Sequence, residues 1–86
     1  MNLQDAFINH IRTNNIEVEI TCTNGDPISG TIRGFDPNVI VLDVYDTEEE
    51  RPREAIIYKA QIVHIVPDQP IDLFNGSTGS EEAEPQ

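Results

Sequence analysis

The sequence predicts a mainly β fold: one N-terminal α-helix, then five short strands forming a small, strongly bent antiparallel barrel. Its hydrophobic period switches from helical to alternating at Ile16. Two glycines, Gly30 and Gly34, fall inside one strand-like run, where glycine marks a bend or a close backbone approach. Turn-forming residues recur at short intervals from Asn24 onward, as a small barrel requires.

Leu3, Phe7, Ile8 and Ile11 share one helical face, so Leu3 to about Thr13 reads as a short amphipathic helix. Asn2 can cap its first turn, Asp5 complements its positive end, and Asn14-Asn15 ends it. Ile16, Val18, Ile20 and Cys22 then alternate with Glu17, Glu19, Thr21 and Thr23, which is a half-buried strand. Asn24-Gly25 predicts a hairpin turn, because both residues tolerate positive φ. Ile28 to Phe35 is the second strand, and Asp36-Pro37-Asn38 is a turn. Val39 to Tyr45 is the third. Its run Val39-Ile40-Val41-Leu42 lacks alternation and is expected to be buried on both faces. The charged stretch Asp46 to Glu54 reads as a loop. Ala55 to Tyr58 and Gln61 to Val66 supply two more strands. The expected domain spans residues 1–74. The tail over 75–86 is polar and acidic and is expected to be disordered.

A chain of 86 residues has room for one domain. A core this small favours association with copies of itself. No apolar run approaches the length of a membrane span, so no membrane partner is expected. The lone Cys22 forms no internal disulfide and sits in the apolar phase of a strand, where it reads as core. Without a basic segment followed by an apolar run at the N-terminus, a cytoplasmic location is expected. His10 and His64 have no further ligand at metal-binding spacing, and no cofactor is expected. No Ser/His/Asp arrangement or phosphate-cradling glycine loop is present, which points away from an enzyme. The net charge of −11, with five Lys and Arg in all, opposes binding to a polyanion.

Three segments nevertheless carry a resemblance. Leu3-Gln4-Asp5-Ala6-Phe7-Ile8-Asn9 resembles the opening helix of the Hfq branch of the Sm-like RNA-binding proteins. Asn24-Gly25, Gly30, and Phe35-Asp36 followed by Val39-Ile40-Val41-Leu42 resemble the first Sm motif. Tyr58-Lys59, Ile62 and Ile65-Val66-Pro67 resemble the second. The match runs from about residue 2 to residue 67, with an insertion at Asp46–Glu54. The resemblance implies a hexameric ring of Sm-like barrels, in which the fourth strand of one copy pairs with the fifth of the next. It also implies an RNA chaperone acting with small regulatory RNAs. On the helix-bearing face, which the family uses for U-rich RNA, Gln4, Asp36 and Lys59 match, Phe35 of the first Sm motif is counted with them as a pore-face candidate, and Lys59 would ring the pore. The family's stacking aromatic falls at Asn38 here, and the histidine after the pore lysine falls at Ala60. On the opposite face, used for A-rich RNA, Thr21, Asp26 and Pro27 replace a stacking tyrosine, an apolar residue and a basic residue. On the rim, Asn9 and Arg12 remain from a richer basic cluster.

Each of these residues also has a plainer reading. Gln4 and Asp5 serve a helix N-terminus equally well, and Asp36 serves a turn. Phe35 reads as core. Lys59, outside its motif, would be a surface lysine, and the Glu48-Glu49-Glu50 run a solvated loop. Two functions therefore stand side by side: an RNA-binding ring with contact confined to the pore, and a ring of the same fold that serves as a scaffold for a protein partner.

Overall fold

The computed structural model describes residues 2–71. The expected boundary near Asn75 and the acidic tail 75–86 lie outside the described residues. Helix α1 (Leu3–Thr13) begins at Asn2, whose side-chain oxygen accepts from the Asp5 N–H at 2.8 Å, and stops at the C-cap Asn14. Asn15 then takes φ 53°, a left-handed turn that asparagine accepts readily, and sends the chain into the sheet. Ile8 and Ile11 are buried, but Leu3 is 57% exposed.

The strands are β1 (Glu17–Cys22), β2 (Ile28–Phe35), β3 (Val39–Asp46), β4 (Arg51–Tyr58) and β5 (Ile62–Pro67). A single 3₁₀ turn, Lys59–Gln61, joins the last two. All pairings are antiparallel, in the order β4-β3-β2-β1-β5. β4 and β5 are consecutive in the chain yet lie at opposite edges. A flat five-stranded sheet would hold its edges about 19 Å apart. Three linking residues reach no more than about 14 Å, so the sheet must curl. It is strongly bent but not closed, since both edge strands keep an unpaired side.

Two features produce the bend. At Gly30, a Cβ would collide with the Asp43 carbonyl oxygen, so only glycine lets β2 press this closely on β3. The register between β2 and β3 then slips between Ile32 and Gly34, leaving Arg33 as a bulge residue. On the concave side, Ile8, Ile11, Ile16, Val18, Ile20, Ile32, Ile40, Leu42 and Ile57 form one aliphatic core.

Three expectations need correction. Asp46–Glu54 is not one loop. Arg51 to Glu54 pair with Asp46 to Asp43, so a hairpin extends outward and only residues 47–50 turn. An edge strand that meets solvent tolerates charged residues and Pro52, which the hydrophobic pattern cannot register. Its turn is held by Asp46, whose Oδ1 accepts from Glu48 and Glu49 N–H, with Glu50 at φ 55°. Second, the hairpin turn expected at Asn24-Gly25 joins β1 and β2, which pair antiparallel on either side of it, but neither residue takes the positive φ on which the expectation rested. Residues 23–27 connect β1 to β2, and no glycine among the described residues has positive φ. Thr23 instead ties this connection to Gln61, donating from both its N–H and its hydroxyl at 2.8 Å. Third, β3 alternates after all: Ile40 and Leu42 are fully buried, while Val39 and Val41 are only half-buried on the outer side.

Candidate functional site

The 3₁₀ turn after β4 brings Lys59 beneath the first turn of α1. A cleft of about 230 Å³ forms there, lined by Gln4, Ile8, Ile40, Lys59 and residues 62–65. The Lys59 stem is packed away, with only 9% of the side chain exposed. Its ammonium lies 3.9 Å from Asp5 Oδ1 and 5.2 Å from the centroid of the Phe35 ring. The ring face attracts the cation, and the carboxylate gives it a distant counter-charge. At 3.9 Å the ion pair is too long for a hydrogen bond, which leaves donors of the ammonium available.

Asp36 and Asn38 belong to the turn that neighbours Lys59. The Lys59 N–H donates to the Asn38 carbonyl at 2.8 Å, which sets these two residues side by side. Asp36 Oδ1 accepts from the backbone N–H groups of Asn38, at 2.7 Å, and Val39, at 2.8 Å. These two bonds hold its carboxyl below the usual carboxylate range, helped less by the charge of Lys59. Asp36 is therefore the anchor of the turn that presents Asn38. Phe35 is half-buried against the core and supports the Lys59 ammonium.

The structure thus groups Gln4, Phe35, Asp36, Asn38 and Lys59. Asn9 and Arg12, expected on the rim, pair with one another: Arg12 Nη2 donates to Asn9 Oδ1 at 2.8 Å. Asp5 was legible only as a helix-end acid, and its place beside Lys59 arises from the packing of α1 over the 3₁₀ turn. On the convex side of the sheet, Arg33 bonds Asp43 and also meets Glu54. These contacts, led by the Asp43 hydrogen bond, raise the guanidinium above its ordinary value. Thr21 stands opposite His64, and Glu19 opposite Ser29 and Val66. Among the described residues no group of three or more His, Cys, Asp or Glu could hold a metal ion, and no helix is long and apolar enough to cross a membrane.

A helix laid over a strongly bent five-stranded antiparallel sheet, with a lysine cleft at the β4–β5 junction, defines an Sm-like domain. A family model described as Hfq protein matches residues 3–72. The RNA-binding protein Hfq of Carboxydothermus hydrogenoformans is 35% identical over 85 residues, covering 99% of this chain and 93% of that protein. Its namesake from Alkaliphilus metalliredigens is 38% identical over 77 residues, covering 90% of this chain and 89% of the other. A crystal structure of the pleiotropic translational regulator Hfq superposes with a TM-score of 0.66 at 25% identity, over 78% of this chain and 92% of that one. The chain belongs to the Hfq family.

Proposed function

We propose that this chain is a ring-forming RNA-binding protein that grips single-stranded, U-rich RNA at the cleft around Lys59. The observation that carries this reading is the Lys59 ammonium itself, over Phe35 in a cleft that Gln4 also lines, with Asn38 joined to Lys59 through the backbone. A cation of this kind can meet a phosphate or a base carbonyl, and the carboxamides of Gln4 and Asn38 can meet a base edge. The ring is inferred from the two open edges. Ile56 and Tyr58 on β4 are each 63% exposed, and Val63 on β5 is 58% exposed. Pairing β4 of one copy with β5 of the next would cover these side chains and satisfy both edges. A hexamer would place six copies of Lys59 around one opening. Nearby charge dominates within a Debye length of about 8 Å, so the opening attracts RNA although the particle is acidic.

In this reading the protein acts in the cytoplasm as an RNA chaperone for small regulatory RNAs, with a weakened second face. That face offers Thr21, Asp26 and Pro27, and its Arg33 is already neutralised by Asp43 and Glu54. A second reading, a ring serving as scaffold for a protein partner, is favoured by the counter-charge Asp5 supplies to Lys59. Titration of fluorescent U-rich and A-rich oligomers at two salt concentrations decides between them. The RNA reading expects salt-dependent U-rich binding that far exceeds A-rich binding. No binding of either at low salt makes the scaffold the better account. Light scattering that finds only a 9.6 kDa particle at micromolar concentration would refute the ring.

A further inference from the structure

A second concavity lies on the other flank of α1. It is an apolar groove of about 280 Å³ between the helix and the end of β5, walled by Phe7, Ile8, Ile11, Ile65, Pro67 and Ile71, with Gln4 at its margin. We propose that Leu73 and Phe74 of this same chain fold back into the groove and extend the hydrophobic core beneath α1.

Three observations name this occupant. The chain leaves β5 in a held direction, because the Asp68 N–H donates to the Glu17 carbonyl at 2.9 Å. Ile71, the last described residue, is already half-buried against the core and forms part of the groove wall. From its Cα, Leu73 can lie up to about 7 Å away and Phe74 up to about 10 Å, so both can reach the groove without disturbing β5. The sequence agrees. Leu73 and Phe74 are large apolar residues directly beyond Ile71, and positions 75–86 contain only Asn, Gly, Ser, Thr, Glu, Ala, Pro and Gln. Burying two large side chains is the favourable course for an apolar pair next to an apolar groove. Because Gln4 borders both concavities, the docked segment would lie behind the residue that forms one wall of the Lys59 cleft.

The test needs no RNA, so its outcome is independent of the RNA-binding reading. The chain has no tryptophan, so Phe74→Trp in the full chain gives a single reporter. Docking predicts blue-shifted emission and protection from acrylamide, both lost when Phe7→Ser is added. Leu73→Ser, which leaves the groove residues unchanged, should redden the emission even if Phe7→Ser does not fold. Truncation after Phe74 should keep the thermal midpoint of the full chain, and truncation after Ile71 should lower it by several degrees. A solvent-like emission in the unaltered groove, or equal midpoints for the two truncations, overturns the proposal. So do contacts from position 74 to the groove that appear, in mixed isotopically labelled samples, only between different copies.

Discussion

Lys59, in the 3₁₀ turn after β4, and Arg33, at the bulge of β2, are both cations, and the fold treats them in opposite ways. Lys59 is 9% exposed, its stem packed in the cleft, and its ammonium has one distant carboxylate and an aromatic face. Arg33 is 61% exposed, lifted outward by a bulge, and its guanidinium is shared between Asp43 and Glu54. The exposed cation is the spent one and the packed cation is the available one. A planar guanidinium has several donors in a fixed fork, so neighbouring carboxylates on a sheet face engage it readily. An ammonium held by its own stem cannot follow a carboxylate, and it keeps donors for a ligand. Exposure alone is thus a poor guide to which cation meets a polyanion.

The sharpest way to break this comparison is Lys59→Ala. Losing a charge-assisted contact costs about 1.5–3 kcal/mol, so affinity for U-rich RNA should fall on the order of 10- to 100-fold, with a flatter salt dependence. Fluorescence titration measures both, and wild-type affinity in this variant would remove the cleft from the argument. A smaller loss is expected for Asp36→Ala, which releases the Asn38 and Val39 N–H groups and loosens the turn next to Lys59. The sign of its pH dependence follows from the lowered carboxyl. The turn is held at any pH above the ordinary Asp value of about 3.9 and is released as pH falls through the lower folded-state value. Amide shifts of Asn38 and Val39 should therefore stay constant from neutral pH down to about 5 and move only in stronger acid.

Asp5→Asn sharpens the comparison from the other side. It removes the counter-charge and keeps the helix start, which depends on Asn2 and the Asp5 backbone N–H. A half-exposed pair is worth at most about 1 kcal/mol, so U-rich RNA should bind up to about fivefold more tightly, read by the same titration. The smallest effects belong to the spent cations. Arg33→Ala, and Arg51→Ala with Arg53→Ala in the hairpin, should each change U-rich binding less than twofold, because carboxylates already hold these groups. A large loss in either variant would mean that RNA is held on the convex face or the hairpin.

Much of the fold is legible in the chain. Helix α1 and β1 show their period openly, since each buries one side and wets the other. Gly30 marks the close approach that bends the sheet. The β3–β4 hairpin was hidden, because Arg51 to Glu54 form an edge strand whose pairing is backbone-driven and leaves no hydrophobic trace. The hairpin turn at Asn24-Gly25 was legible, but not its backbone conformation: it lacks positive φ and is tied by bonds from Thr23 to Gln61, residues far apart in the chain.

The sequence by itself determined the element order and most of the aliphatic core, because local periodicity encodes these directly, while the candidate set Gln4, Phe35, Asp36, Asn38 and Lys59 followed from the resemblance of its short motifs to the Hfq family. Only the tertiary structure decided what those residues meet. It set Asp5 against Lys59, made Asp36 a turn anchor, joined Asn38 to Lys59 through the backbone, and used up Arg33 on the convex face. These are contacts between distant segments. They depend on how a helix sits over a curled sheet and on where one bulge falls, and neither is written in the pattern of any single segment.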